Sequence, residues 1–240
     1  MQRRGYLLRN MTLKIGMPSL PQAWIMSQCV QQLLEFIARQ PGTRYIHKLT
    51  ITSLNFFKHW RVFALSKWNI LLAVSNFLLS QRHLQYVDLS VCRVSADDGM
   101  RLLRALVVGP SRTTVRQLIL ADFFQTKYQA TLGNRFSRLL TSSFTSLQHL
   151  AVDARHVDSS FLLALLTRSP SKESLRHLSL MFGASPPREV IAETTWDRVR
   201  QLSADLTVTF VFEEKVDFRM VRSILTPSVP LLNVVVFWPR

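Results

Sequence analysis

The residues best suited to chemistry in this chain are its six histidines and two cysteines, and their spacing decides what they can do. His149 and His177 stand 28 positions apart and occupy the same place in two matching phrases, Leu147-Gln-His-Leu150 and Leu175-Arg-His-Leu178. If those phrases stack, the two imidazoles become neighbours. A metal held there lacks a clear third ligand, for which Asp153 is the best candidate. Polar surface residues are therefore expected, not a metal centre. His47 also lies within such a phrase, while His59, His83 and His156 lie outside. Cys29 and Cys92 are too few for a disulfide framework and read as small buried hydrophobes of a reduced, intracellular chain.

Other sources of chemistry are missing from the sequence. It contains no P-loop, no G-x-S-x-G, no H-E-x-x-H and no C-x-x-C. Seven glycines in 240 residues leave little material for phosphate-cradling loops. Scattered Ser, His and Asp residues form a triad only by chance. Neither enzyme activity nor a cofactor is expected.

The elements that would position these side chains come from internal repetition. An apolar-x-x-apolar-x-apolar phrase begins at Ile46, Leu84, Val115, Leu147, Leu175 and Leu231, with a degenerate copy counted from Ser203. The last three intervals are each 28 residues. Each phrase is too short and too alternating for a helix and reads as a strand with one face inward. Between the phrases the period is helical: Trp24 to Ile37, Val62 to Leu79, Leu102 to Val107, Leu132 to Leu140, Phe161 to Leu166, Val190 to Leu202 and Val216 to Leu225. Ser95-Ala-Asp-Asp98 spells an N-capping box, and Asp158 is placed to cap the helix at Phe161. Strand then helix at this interval predicts an α/β leucine-rich-repeat solenoid, a horseshoe with a parallel sheet on its concave face and helices on its convex face. One such unit cannot bury its own apolar side, so neighbours must cover it. The predicted organisation is a lead segment, 1–21, followed by a repeat domain, 22–240, of about seven irregular repeats.

In this geometry positions one, four and six of each phrase point inward, and positions three, five and seven face the open sheet. The candidate protein-binding residues are therefore Lys48, Tyr86, Asp88, Gln117, Ile119, His149, Asp153, His177, Met181, Thr207, Val235 and Phe237. Tyr86, His177, Met181 and Phe237 are the strongest of them, being large or adaptable contact groups. Asp122-Phe123-Phe124 and Phe210-x-Phe212 read as core and loop filling, and Trp196 as a core residue of its helix.

Charge is uneven. The formal net charge is +15, and residues 1–120 hold 16 basic and 4 acidic side chains against 14 and 11 in residues 121–240. Such a field favours acidic partners. The basic residues are scattered, without a recognition-helix pattern, so specific nucleic-acid binding is not expected. No secretory signal follows the basic start MQRRGYLLRN. The apolar run Val62 to Leu79 carries a central Lys67, which is costly in a bilayer, so no membrane span is expected. The expected location is cytoplasmic or nuclear; the acid-free start leaves mitochondrial import as the alternative.

Particular segments also carry a family likeness. Leu84-Gln-Tyr-Val-Asp-Leu89 after a long Phe/Leu helix, Asp122-Phe123-Phe124 past the next strand, Trp196, Leu206-Thr-Val-Thr-Phe-Val-Phe-Glu213 and Arg222-Ser-Ile-Leu225-Thr-Pro227 together resemble the leucine-rich-repeat region of F-box proteins, over roughly residues 22–240. The resemblance implies a substrate-recognition subunit of a Skp-cullin-F-box ubiquitin ligase, its repeats holding a protein substrate. Skp adaptor and cullin binding is implied only where an F-box is present; here Leu20-Pro21 and Leu33-Leu34 merely echo one and fall where the family's first repeat helix would lie. The alternative is a leucine-rich-repeat scaffold or assembly factor unrelated to ubiquitin.

Overall fold

The computed structural model describes residues 9–14, 23–39, 46–52, 64–125, 133–167, 175–183, 190–212, 221, 224–225 and 228–236. Among them the chain is α/β, with eight strands and six α-helices. Contacts divide it into two compact units, Met1–Val115 with Phe123–Gln125, and Arg116–Asp122 with Thr126–Arg240.

The first unit runs β1 (Asn10–Lys14), α1 (Ala23–Arg39), β2 (Lys48–Thr52), α2 (Ala64–Ser80), β3 (Tyr86–Asp88) and α3 (Ala96–Val108). Its strands pair in parallel and in chain order, Met11 beside Leu49 and Leu49 beside Val87. Parallel neighbours need a crossover, and α1 and α2 supply it. The phrase residues Ile46, Leu49, Ile51, Leu84, Val87 and Leu89 are all fully buried. Each Leu so placed contributes roughly 1.5–3 kcal/mol.

The start of α3 follows its capping box: the Ser95 hydroxyl accepts from the Asp98 N–H at 3.2 Å and donates to the Asp98 carboxylate. Lys67 of α2 reaches the same carboxylate. Between β3 and α3 the chain turns sharply, with Val91 at φ 60° and Arg93 at φ 49°. Cys92, between them, is buried and donates its thiol to the Ile51 carbonyl at 3.1 Å. Hydroxyls occupy backbone carbonyls in the turn after α3, with Ser111 donating to Gln81 O at 2.7 Å and Thr114 to Leu84 O at 2.8 Å.

The second unit runs β4 (Gln117–Leu120), α4 (Gly133–Ser143), β5 (His149–Asp153), α5 (Ser159–Thr167), β6 (His177–Phe182), α6 (Glu193–Leu202), β7 (Thr207–Phe212) and β8 (Leu232–Val236). Its strands are again parallel and in chain order. Asp158 caps α5 as its position predicts, accepting from the Phe161 N–H at 2.8 Å. The core is aromatic: Phe210 lies edge-on to Phe182 at 5.3 Å and tilted against Trp196 at 6.2 Å.

Within the lead segment Asn10–Lys14 is a strand with Met11 and Leu13 buried. Two expectations need correction. Cys29 is exposed on α1, not buried. Leu231 and Val234, the first and fourth positions of the last phrase, are exposed because β8 ends the row of strands and nothing among the described residues lies on its far side. Most of the predicted helix Val216 to Leu225 lies outside the described residues.

Candidate functional site

Strand pleating sends alternate side chains to the face opposite the buried core. In the first unit the parallel register lines up Asn10, Lys48 and Tyr86 in one row and Thr12, Thr50 and Asp88 in the next. Lys48, Tyr86 and Asp88 make a connected group. The Lys48 ammonium lies 4.6 Å from the centre of the Tyr86 ring. Tyr86 donates to Asp88 Oδ2 at 3.4 Å, and the Ser90 N–H donates to Asp88 Oδ1 at 2.9 Å. Burial, and then the charge of Asp88 that accepts its hydrogen bond, raise the Tyr86 pKa. The phenol therefore stays protonated as a donor.

In the second unit one row reads Gln117, His149, His177, Thr207 and the next Ile119, Ala151, Ser179, Thr209, Asn233. The equal phrase spacing does bring the imidazoles together: their centroids are 5.9 Å apart and their planes inclined by 63°. His149 Nε2 lies 3.3 Å from Ser179 Oγ. Burial, then the neighbouring His177, lower the His149 pKa. Ile119, Met181 and Thr207 are half-buried on this side, Gln117 and His177 exposed.

Asp153 departs from its expected role. It is buried, not open. Its Oδ1 accepts from the Asp122 N–H at 3.0 Å and its Oδ2 from Arg155 at 3.0 Å. The cause is the 3-10 turn at Ala154–His156, which follows β5 immediately and folds Arg155 back over the carboxylate. Burial raises the Asp153 pKa to about 6 although Arg155 pulls it down. His156 Nε2 lies 3.8 Å from the same Oδ2. This cluster staples the ends of β4 and β5, and it removes Asp153 as a partner of His149 and His177. Among the described residues no three His, Cys, Asp or Glu side chains assemble as a metal-ligand set, nor is any helix long and apolar enough to cross a membrane.

Ala151 is also buried, flanked in register by Ile119 and Ser179. Val235 is exposed on β8, and Phe237 lies outside the described residues. The strand face gains Asn10, Thr12 and Lys14, all exposed on β1, which the sequence reading missed. Their signal was legible: Leu8-x-x-Met11-x-Leu13 is another copy of the phrase, 38 residues before Ile46 as Ile46 is 38 before Leu84. No protein-family model matches the chain.

Proposed function

We propose that this chain is a non-catalytic protein-recognition module, a leucine-rich-repeat solenoid of the kind that forms the substrate-binding region of F-box subunits of Skp-cullin-F-box ubiquitin ligases. One observation carries the reading: successive parallel strands, joined through helices in chain order, present register-matched rows of mixed polar and aromatic side chains. Such rows suit a protein surface, because they offer many shallow contacts on a rigid backbone. Tyr86 held between Lys48 and Asp88, and His177 beside His149, are the side chains on which a partner would gain most.

A photo-crosslinking residue at Tyr86 is expected to capture a protein from cells, and so is one at His177, while one at Arg112, exposed in the 3-10 turn Pro110–Thr113, captures none. Equal yields at all three positions would remove the strand face from the proposal. The ligase half has its own test, pull-down with the Skp adaptor. No association at micromolar concentration would leave a recognition scaffold and exclude ligase recruitment by this chain.

A further inference from the structure

The helices of the first unit carry a feature separate from the strand face. In this unit α1 lies against α2, and α2 against α3. Their inner sides close the core through Leu34, Leu71, Val74, Leu103 and Leu106. Their outer sides should then be polar, as an amphipathic helix requires. They are mixed instead: among polar residues Leu33, Phe36, Trp68, Leu72 and Val108 are exposed, Phe36 by 62% and Val108 by 74%. On α4, α5 and α6 Leu202 is the one large apolar residue exposed among the described residues. Leu33 and Phe36 are three apart and Trp68 and Leu72 four apart, so each pair shares one side of its helix.

The charge around these residues has one dominant sign. The Arg101 guanidinium lies over the Trp68 ring, 3.9 Å from its centre, which leaves the edge of its planar fork available for carboxylates. Arg101 is half-buried, and Arg39 and Arg104 are exposed. No Asp or Glu occurs in α2. On α1, Glu35 is engaged by Arg39 and Gln31, and on α3 Asp98 is taken by Lys67 and Ser95. Asp97 is the exposed carboxylate that remains on α3. A second copy of the chain would set arginine against arginine, so self-association is disfavoured.

We propose that the outer face of α1, α2 and α3 docks an acidic amphipathic helix from another protein, its apolar side on Phe36, Trp68 and Leu72 and its carboxylates toward Arg101 and Arg104. Side-by-side helices leave grooves that receive the ridges of a further helix. This site does not depend on the strand face described above, and substitutions there leave it intact.

The probe is a fluorescein-labelled peptide of about 18 residues with Leu at helical spacing and Glu elsewhere, read by anisotropy against the whole protein at low salt. Controls are a scrambled peptide of the same composition and one with Lys for Glu. Binding is expected for the Glu peptide alone. The double variant Phe36→Ser/Leu72→Ser is expected to weaken it by about tenfold or more, and Arg101→Glu/Arg104→Glu to abolish it, with melting temperatures near that of the wild type, since Phe36, Leu72 and Arg104 are exposed and Arg101 is half-buried. Equal binding of the scrambled or Lys peptide would overturn the proposal. So would unchanged affinity in both variants, or binding to phosphatidylserine-containing vesicles without binding to the Glu peptide, which would assign the face to an anionic membrane.

Discussion

The two units are built from the same strand-helix element but spend their variable positions differently. In the first, the buried phrase residues are aliphatic, the strand face is tied by the Lys48, Tyr86 and Asp88 contacts, and the outer helix surface is apolar and basic. In the second, the buried phrase residues are aliphatic too, with Phe182, Phe210, Phe212 and Trp196 packed beside them, the strand face centres on two imidazoles, and Asp153 and Arg155 pair inside next to a His156 that burial keeps neutral. The lesson is that the phrase governs only positions one, four and six. Everything between is free to be assigned to partners or to local staples, and the two units have divided that freedom in opposite ways.

The largest expected effect tests the shared part of this comparison. Leu178 is 1% exposed, so Leu178→Asp places an unpaired charge in the core and is expected to cost at least about 4 kcal/mol. Ser179→Asp, one residue on, turns to the strand face and should change stability by less than about 1 kcal/mol. Val87→Asp and Asp88→Ala form the corresponding pair in the first unit. Equal losses in melting temperature within either pair would break the rule that the two units alternate alike.

The next effect sharpens the contrast of inward charge. Burial, then Arg155, push the His156 pKa from 6.5 down to about 3. From pH 6.5 to about 3 the unfolded chain therefore binds a proton that the native protein refuses, and stability falls as pH drops. Asp153 has the opposite sign. Its pKa is raised from 3.8 to about 6, so across that window the native state holds the extra proton and stability falls as pH rises. Where the windows overlap the two oppose each other. Asp153→Asn should lose stability relative to wild type as pH is lowered from 6 to 4, at a slope on the order of 1 kcal/mol per pH unit. His156→Gln should gain relative to wild type over the same range. Urea midpoints measured across this range check both, and parallel slopes would refute the buried coupling.

These two results bear on how much could be read before the structure. The strands from β2 onward were legible because Leu, Ile and Val recur at fixed offsets, and alternation sets which side is buried, with exceptions at Ala151, Asp153 and the end strand β8. Capping by Ser95 and Asp158 was legible because it is local. The Asp153 cluster was not, since a buried carboxylate needs a guanidinium from a turn whose path no periodicity encodes, and its Asp122 N–H partner comes from the end of β4. The exposure of Cys29, Leu33 and Phe36 was hidden for a related reason. Helical period shows that α1 has an apolar side but not how wide a side its neighbour covers. The strand Asn10–Lys14 was legible by the same rule as the later strands, since Leu8, Met11 and Leu13 hold the apolar positions of the phrase.

A smaller effect concerns close approach inside the first unit. Gly99 is in α3, and a Cβ there would be driven into the Phe124 ring. Phe124 cannot give way easily, being buried edge-on against Phe123 at 4.7 Å. Ala in an open helix gains about 1 kcal/mol over Gly, whereas overpacking costs about 1–3 kcal/mol. Gly99→Ala should thus lower stability by roughly 1 kcal/mol, and an increase in melting temperature would show that the ring moves.

The smallest effect compares the two strand faces directly. Tyr86 is raised first by burial and then by Asp88; His149 is lowered first by burial and then by His177. Removing the neighbour should undo part of each shift and leave the part that burial imposes. Asp88→Asn is expected to lower the Tyr86 pKa, followed by phenolate absorbance with Tyr86→Phe to assign the signal. His177→Gln is expected to raise the His149 pKa, followed by imidazole proton resonances. Stability should move by less than about 1 kcal/mol in either variant, since both groups are only partly buried. If Tyr86 responds and His149 does not, the imidazoles are held apart by solvent, and only the first unit presents an electrostatically coupled face to a partner.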